Sequence, residues 1–302
     1  MDDQAMTATK PEAERHGIVG GYVPERADWV IDQNWQAYTA ADHATWKTLF
    51  DRQVKLLPGR ACSAFMDGLR DLPIAAETIP DFEKLSDVLM ERTGWRIVAV
   101  PGMVPNDVFF DHLANRRFPA GQFIRNPKEL DYLVEPDVFH DIFGHVPMMM
   151  NPVMADFMQA YGEGGKRAER LGVLERLARL YWYTVEFGLV EEADQVRIFG
   201  AGIVSSFSET TFALEDASPN RIGFDLKRVM RTHYRIDELQ ESYFVLPSID
   251  SLLEFAQTDF APIYDELRDQ ADLTPSMVLE SDKVFARGTG AYHAALAQKE
   301  HG

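Results

Sequence analysis

The sequence predicts a mostly helical α+β fold with a few short β-strands, arranged as a single domain. Apolar residues recur at helical spacing along most of the chain, whereas stretches typical of strands are short and few. No internal repeat, low-complexity block or linker divides the 302 residues, of which 46% are hydrophobic. We therefore expect one large core, with a domain over residues 16–282 between an N-terminal tail (1–15) and a C-terminal tail (283–302).

The charge of the chain limits its partners. A formal net charge of −18 at pH 7 disfavours nucleic acids and anionic membrane surfaces, because both are polyanions. The sequence has neither a secretory signal pattern at its N-terminus nor an apolar run long enough to span a bilayer, and Cys62 is its only cysteine. We expect a cytoplasmic protein with a small-molecule ligand and no nucleic-acid or membrane partner.

Start and stop signals define the predicted elements of the N-terminal half. Thr39 or Asp42 can cap the first helix, which Pro58 and Gly59 end, and Asp81 can open the second. A β-rich stretch then runs into a loop. The predicted elements are helices over 40–56, 81–93 and 107–116, and strands over 95–100 and 121–125.

The C-terminal half carries signals of the same kind. Gly200 and Gly202 indicate a loop, and Ser251 with Glu254 has the pattern of a capping box opening a helix that Pro262 interrupts. The glycines and alanines near the end are expected to form a tail. The predicted elements are helices over 152–161, 168–190 and 221–233, and strands over 195–199 and 243–246.

Two histidines, His140 and His145, lie five residues apart in an apolar, helix-capable stretch. Imidazole nitrogen is the commonest protein ligand for transition metals. Residues five apart do not share one face of a straight α-helix, so both can reach one ion only if the helix ends between them. We predict that Gly144 and Pro147 end it there. The alternative is two core histidines bonded to backbone carbonyls.

A third candidate ligand is Glu186, which lies on an apolar stripe with Ala178 and Trp182 at four-residue spacing. Glutamate is almost never fully buried without a partner, because removing a charge from water is costly. An arginine could balance the carboxylate. A metal ion shared with the two histidines would explain all three residues together.

The ligand set favours iron. Two histidines and one carboxylate with open coordination positions are typical of non-haem iron(II) oxygenases. The main competitor is zinc, but the chain has no His-Glu-x-x-His motif. A structural zinc usually takes four protein ligands, and His112 and His233, the candidates for a fourth, are more simply read as surface or core histidines.

Three motifs, in order along the chain, resemble those of the pterin-dependent aromatic amino acid hydroxylases. They are Glu-Pro-Asp to Gly-His-Val-Pro at 135–147, Tyr-Trp-Tyr-Thr-Val-Glu-Phe-Gly at 181–188 and Gly-Ala-Gly-Ile-Val-Ser-Ser-Phe at 200–207. The likeness extends from about Tyr22 to about Tyr264 and is strongest to bacterial, phenylalanine-hydroxylating members. The chain resembles the catalytic domain alone, without the regulatory domain or tetramerisation helix of the animal enzymes, which implies a monomer.

The resemblance also implies an activity and its cofactors. Iron(II) and tetrahydrobiopterin or a related tetrahydropterin would activate dioxygen and convert L-phenylalanine to L-tyrosine. The family's iron ligands correspond to His140, His145 and Glu186. No further protein acid or base needs to be assigned. Hydroxylation of tryptophan or tyrosine remains an alternative within the family, and a helical zinc-binding protein without activity is the alternative from another class.

The same resemblance implies the substrate contacts. Arg125 would bind the substrate carboxylate, with Asp137 orienting the arginine. Trp182 would form a wall of the aromatic pocket, while Gly202 and Ser205 would lie near the amino acid end of the substrate. Taken alone, these residues would be read as a salt bridge, a core aromatic and a flexible loop.

The pterin contacts are implied in the same way. Phe109 would stack on the pterin, and the backbone at Gly102 and Met103 would bind it. Asp141 stands where animal members carry a glutamate near the pterin, and its shorter side chain could use a bridging water. Without the resemblance, Phe109 would be read as a core residue.

Overall fold

Helices form most of the secondary structure in the computed structural model, which describes residues 25–131 and 135–300. The mostly helical α+β prediction is confirmed. The predicted N-terminal tail, residues 1–15, lies outside the described residues. The α-helices are α1 (Ala40–Leu56), α2 (Ser63–Asp71), α3 (Phe82–Arg92), α4 (Asn106–Ala114), α5 (Val146–Met149), α6 (Pro152–Leu171), α7 (Leu174–Tyr181), α8 (Ala201–Ser205), α9 (Phe207–Glu215), α10 (Leu226–Met230), α11 (Leu252–Gln257), α12 (Ala261–Leu267) and α13 (Ala291–Glu300).

Seven strands in the described part of the chain form two small sheets. The first sheet pairs two strands in parallel; the second has the order β4-β3-β6-β5-β7, with β3, β6 and β5 parallel and the two edge strands antiparallel to their neighbours. The strands are β1 (Arg96–Val100), β2 (Arg117–Gly121), β3 (Leu189–Glu192), β4 (Gln195–Ile198), β5 (Asn220–Gly223), β6 (Ser242–Leu246) and β7 (Val284–Ala286).

Local signals place α1 and α3 correctly, whereas α2 (Ser63–Asp71) is not among the predicted elements. Helix α1 has the predicted bounds, and Thr39 is its N-cap in a reciprocal capping box with Asp42. Asp81 caps α3 by accepting a hydrogen bond from the Glu83 amide. Ser251, by contrast, does not cap α11: its hydroxyl donates to the Ser248 carbonyl, and a short 3-10 turn (Ile249–Ser251) precedes the helix.

Helix α6 is longer than predicted because its glycines serve packing. The prediction ended at residue 161, but the helix continues through Gly162 and Gly165 to Leu171. A Cβ atom at Gly162 would lie 2.4 Å from the Ala114 amide nitrogen, and one at Gly165 would lie 2.1 Å from the Phe110 ring. The glycines therefore let α6 pack closely against α4, which outweighs their low helix propensity.

Two predicted elements are wrong because strand pairing overrides local preference. Residues 220–223 form β5 and not the start of a helix, since Arg221 and Ile222 pair in parallel with Tyr243 and Phe244 of β6. The second strand of the first sheet is Arg117–Gly121, ahead of the predicted 121–125, because it aligns with β1 over five residue pairs. Pairing partners distant in sequence leave no local signal.

The C-terminal segment is not the tail that was predicted from residue 283. Val284–Ala286 adds to the second sheet beside β5, and Ala291–Glu300 is helical. Tyr292 packs edge-on against Phe212, with ring centroids 5.2 Å apart, and its amide donates to Ser218 Oγ at 2.9 Å. These contacts order the segment despite its glycines and alanines.

An aromatic core braces the segment that carries the two histidines. The rings of Phe139 and Phe143 stack with centroids 4.8 Å apart, and Trp46 of α1 meets Phe139 edge-on at 5.3 Å. Phe65 of α2 meets Phe143 edge-on, with ring centroids 6.1 Å apart. All four side chains are fully buried.

No helix within the described residues is long and apolar enough to cross a bilayer.

Candidate metal centre

The two histidines share a face because the helix widens between them. Phe139–His145 is a π-helix, in which the hydrogen-bonded repeat is five residues and not four. The predicted helix end at Gly144 is wrong: the chain continues directly into α5, with Pro147 in its first turn. Because proline has no N–H to donate, the α-helical ladder is already interrupted there, which fits a wider turn before it.

Glu186 ends a second π-helix, Trp182–Glu186, which follows α7 without a break. The Phe187 amide donates to the Trp182 carbonyl, five residues back, at 2.8 Å. The predicted helix over 168–190 therefore divides into the end of α6, α7, this π-helix and the start of β3. The wider turn and the helix end direct the Glu186 carboxylate toward the histidines.

The donor groups of three residues converge at this point. His140 Nε2 lies 3.2 Å from Glu186 Oε1, His145 Nε2 lies 3.4 Å from Glu186 Oε2, and the two imidazole nitrogens are 3.2 Å apart. Three ligand atoms each about 2.1 Å from one ion, at right angles to one another, would be separated by about 3.0 Å. The arrangement therefore fits one face of a metal ion, and the ligand assignment remains a prediction.

The electrostatics of the three residues also suit a cation. Burial alone would raise the pKa of Glu186, but the two histidines outweigh it and lower the pKa well below its usual range. Burial would lower the pKa of His140, and the Glu186 carboxylate raises it instead to about 9. A buried carboxylate that stays ionised and attracts a positive charge is suited to holding a metal.

Helix α8 supports His140 on the side of the ring that faces away from the candidate metal position. Ser205 Oγ lies 3.0 Å from His140 Nδ1 and donates its own proton to the Ala201 carbonyl at 2.8 Å. The serine oxygen therefore accepts from an Nδ1–H, which leaves Nε2 free to bind a metal. The predicted loop at Gly200–Gly202 is in fact the start of this helix.

Two glycines allow α8 to approach so closely. A Cβ atom at Gly202 would lie 2.9 Å from Glu186 Oε1, and one at Gly144 would lie 2.9 Å from the Ala201 carbonyl oxygen. Gly202 therefore lies directly against the candidate ligand Glu186, and a larger residue at either position would displace the helix or the ligand.

Arg125 and Asp137 form a buried ion pair. Arg125 Nε and Nη2 donate to the two carboxylate oxygens at 2.8 Å each, and the Arg125 amide donates to the same carboxylate at 2.9 Å. Asp137 Oδ1 also accepts from the His140 amide at 3.0 Å. This pair is therefore tied directly to the first π-helix. Burial is the largest single influence on the pKa of Asp137 and would raise it. The hydrogen bonds and the charge of Arg125 lead the effects that together outweigh burial, so the pKa is lowered.

Trp182 is half-buried in a stack of aromatic rings. Its ring stacks nearly parallel to Phe187, with centroids 5.7 Å apart, and to Tyr234, at 4.8 Å. The side chain lies at the start of the second π-helix, four residues before Glu186. It can both pack in the core and present an edge to a ligand.

The four residues predicted for the pterin come from three elements. Gly102 and Met103 follow β1, where the Met103 amide donates to Glu135 Oε1 at 3.4 Å. Phe109 is half-buried on α4. Asp141 is buried and accepts a hydrogen bond from the Gly121 amide at 2.7 Å, and burial raises its pKa to about 7. Its carboxylate lies within 4.8 Å of the histidine nitrogens.

Sequence reasoning missed Tyr181 as a residue of the site. Its ring meets Phe109 edge-on at 6.0 Å and lies 6.5 Å from the His145 ring, so it connects the predicted pterin residue to a predicted ligand. It lies five residues before Glu186, a spacing that would have pointed to it had the π-helix been foreseen. Glu135, which accepts a hydrogen bond from the Met103 amide, is the first residue of the motif at 135–147, but the sequence assigns it no role in the site.

Comparisons with known proteins agree with this geometry. Residues 34–266 match the family model for biopterin-dependent aromatic amino acid hydroxylases. The chain is 59% identical to the phenylalanine-4-hydroxylase of Caulobacter vibrioides, over 92% of this chain and 95% of the relative. It is 56% identical to that of Chromobacterium violaceum, over 95% and 96%.

A crystal structure of the Chromobacterium violaceum phenylalanine hydroxylase with iron and phenylalanine bound has a TM-score of 0.83 to this chain. The identity is 51%, and the alignment covers 91% of this chain and 100% of that one. A cobalt-bound structure of the same enzyme has a TM-score of 0.85 at 53% identity, covering 90% and 98%. The chain belongs to the biopterin-dependent aromatic amino acid hydroxylases.

Proposed function

We propose that this chain converts L-phenylalanine and dioxygen to L-tyrosine, using one iron(II) ion and a tetrahydropterin. The observation that carries the proposal is the convergence of His140, His145 and Glu186 at 3.2–3.4 Å in a buried site. Family membership and the relatives named phenylalanine-4-hydroxylase support both the reaction and the substrate. The iron and the tetrahydropterin supply the activation of dioxygen when bound.

The two histidines and Glu186 hold the iron in this proposal. All three belong to π-helices, and the aromatic core braces the one that carries the two histidines, which helps to orient the donor atoms toward one another. Ser205 fixes the tautomer of His140 by accepting its Nδ1 proton. The protein's contribution is to orient these groups and to keep water out of the site.

Arg125 binds the substrate carboxylate. Its guanidinium has five N–H donors. Asp137 takes the donor on Nε and one on Nη2, and the Leu130 carbonyl takes one on Nη1 at 3.3 Å. Among the described residues, one donor on each terminal nitrogen is then left without a partner. Two parallel donors of this kind match the two oxygens of a carboxylate.

The remaining substrate residues lie around the iron side of the pocket. Trp182 provides an aromatic wall, and its stacking on Phe187 and Tyr234 limits its rotation. Gly202 and Ser205 of α8 lie beside Glu186 and His140, where a small side chain leaves room for the amino acid end of phenylalanine.

The pterin is held by residues outside α8. Phe109 would stack on the pterin, and the backbone at Gly102 and Met103 would bind it. Asp141 contributes a carboxyl group that burial keeps partly protonated near neutral pH, since its pKa is about 7. Such a group can both donate and accept hydrogen bonds.

We also infer that the protein acts as a monomer in the cytoplasm, without nucleic-acid or membrane partners. The net charge of −18 supports this, because copies of the chain repel one another and repel polyanions. Light scattering after size-exclusion chromatography tests the oligomeric state. The mass of a single chain is expected at all concentrations, and a mass that doubles on concentration would contradict it.

The deciding experiment is product analysis with purified, iron(II)-loaded protein, a tetrahydropterin and oxygen. Phenylalanine, tyrosine and tryptophan are supplied in turn, with metal-free protein and pterin-free mixtures as controls. We expect tyrosine from phenylalanine, dependent on both iron and pterin. Turnover of tryptophan or tyrosine in preference would assign another substrate, and firmly bound zinc with no product from any of the three would refute the activity.

A further inference from the structure

Arg52, on the outer face of α1, joins two segments that are distant in sequence. Its Nη2 forms an ion pair with the carboxylate of Asp131, and its guanidinium carbon lies 4.4 Å above the centroid of the Phe207 ring. The Arg52 side chain is only 26% exposed, although Asp131 is 75% exposed and Phe207 is one of the few large exposed hydrophobic residues. Arg52 is therefore held in place from two sides.

Asp131 closes a turn that reaches back to the substrate arginine. The Glu129 amide donates to the Asn126 carbonyl at 2.8 Å, and the Lys128 amide donates to Asn126 Oδ1 at 3.0 Å. The turn brings the Leu130 carbonyl to 3.3 Å from Arg125 Nη1. The next residue along the chain is Asp131, so the turn is attached to Arg125 at one end and to Arg52 at the other.

The second contact of Arg52 lies next to helix α8. Phe207 is the first residue of α9, directly after the N-cap Ser206 and two residues after Ser205, which binds His140. A cation over an aromatic face is attracted to it and restrains it. Arg52 thus fixes the turn over 126–131 relative to the corner between α8 and α9, which borders the proposed amino acid pocket.

We propose that Arg52 is a positioning residue for the amino acid substrate. By holding Asp131, it keeps the Leu130 carbonyl on Arg125 Nη1 and so keeps the planar guanidinium oriented with its two remaining donors toward the substrate carboxylate. The inference rests on the proposed function, because it concerns the substrate of the same site. Arg52 itself does not touch the candidate iron ligands or the residues proposed for the pterin.

The test is the steady-state kinetics of Arg52→Gln in the full-length, iron-loaded protein. An exposed ion pair and a cation–π contact together predict that KM for phenylalanine rises about 3–10-fold. The KM for the tetrahydropterin, kcat at saturating phenylalanine and the iron content should stay within about twofold of wild type. This split separates positioning of the amino acid from a general structural defect.

A double-mutant cycle shows whether the residues act through each other. If Arg52 acts through Asp131, then Asp131→Asn should raise KM for phenylalanine similarly, and the double variant should be no worse than the more affected single variant. Salt gives an independent readout: KM of the wild type should rise with added NaCl, and KM of Arg52→Gln should change less.

Lys47→Gln is the matched control. It removes an exposed ion pair to Asp51, 3.0 Å long, on the same helix but away from the turn. Its KM for phenylalanine should equal that of wild type. If KM for phenylalanine is unchanged in Arg52→Gln, or rises no more than KM for the tetrahydropterin, the role of Arg52 is overturned. The hydroxylase activity itself would still stand. A wild-type protein that does not hydroxylate phenylalanine would overturn the proposed function itself.

Discussion

Two clusters of histidine and carboxylate groups in this molecule differ in what balances their charge. At the candidate metal centre, Glu186 contacts the two histidines. At the surface, Glu175, His233 and Asp272 also bring their ligand atoms within 4.8 Å of one another. By residue type and distance alone, both clusters could hold a metal ion.

The second cluster is already neutralised by arginines. Arg179 Nη2 lies 2.7 Å from carboxylate oxygens of both Glu175 and Asp272, and Arg176 Nη1 lies 2.5 Å from Asp272. Within the described residues, Glu186 has salt-bridge contacts with histidines and with no arginine. The difference teaches that charge balance, more than ligand type, separates a metal site from an ordinary ionic network.

The largest effect should follow from removing the carboxylate that has no arginine. Glu186→Ala takes away a proposed direct ligand, so the loss of iron affinity should exceed the roughly 10–100-fold typical of an outer partner, and turnover should be lost with it. Metal content by atomic emission and tyrosine formation are the measurements. Glu175→Ala, in the second cluster, is the control and should keep one iron per chain. Full iron binding in Glu186→Ala would refute the assignment.

The charge balance at Arg125 is intermediate between those of the two clusters. Asp137 pairs with Arg125 but occupies only part of its guanidinium. We expect Arg125→Ala to raise KM for phenylalanine by at least about 100-fold, since two charge-assisted hydrogen bonds contribute about 3–6 kcal/mol together, and to raise KM for the pterin far less. Arg60→Ala, which removes an exposed pair with Glu215, serves as the control.

The same change at Arg125 leaves a buried charge unpaired. Asp137 is fully buried, so the free energy of unfolding should also fall, by about 3–5 kcal/mol. Kinetics are therefore measured at a temperature where circular dichroism shows the variant folded. Equal increases in the two KM values, in folded protein, would count against a specific role in binding the carboxylate.

Much of the site could be predicted from sequence because its signals are local. His140, His145 and Glu186 are unusual residues in apolar helical segments, and their need for a shared partner is enough to group them as ligands of one ion. The π-helices could not be predicted, because the expectation of four-residue spacing came from regular helices. The predicted helix end is replaced by a wider turn that achieves the same convergence.

The residues proposed for the substrate and the pterin are accessible only through the family resemblance. Arg125 and Asp137 lie in irregular segments twelve residues apart, where no periodicity predicts a contact. Likewise the pattern over 221–233 predicts a helix where residues 220–223 form β5, because the pairing partner β6 begins about twenty residues later. Local sequence patterns do not predict contacts between segments that are distant in sequence.

Arg179 tests the second cluster directly. Arg179→Met keeps much of the buried side-chain volume but leaves Glu175 and Asp272 with less positive charge. We expect the free energy of unfolding to fall by about 2–3 kcal/mol, less than for a fully buried pair because both acids are partly exposed. Urea unfolding measures the change. Iron content should not change, and loss of iron would show that the two clusters are not independent.

The smallest effect concerns a third way to balance a buried carboxylate, which is to protonate it. Glu209 is buried and accepts a hydrogen bond from the Tyr243 hydroxyl at 2.8 Å, but it forms no salt bridge with any residue that the structure describes. Burial raises its pKa to about 7. The folded state therefore keeps a proton that the unfolded state, with a pKa near 4.5, has released.

Stability should consequently fall as pH rises from about 4.5 to about 7, and the loss should be complete above that range. Glu209→Gln keeps an acceptor for Tyr243 and removes the ionisation. Between pH 5 and pH 8 the wild type should therefore lose on the order of 1–2 kcal/mol more than the variant. Urea unfolding at a series of pH values measures this difference, with Glu215→Gln, exposed on the same helix, as the control. Parallel pH profiles for wild type and Glu209→Gln would mean that Glu209 is ionised when buried and balanced by a charge, as Glu186 is, and not by a proton.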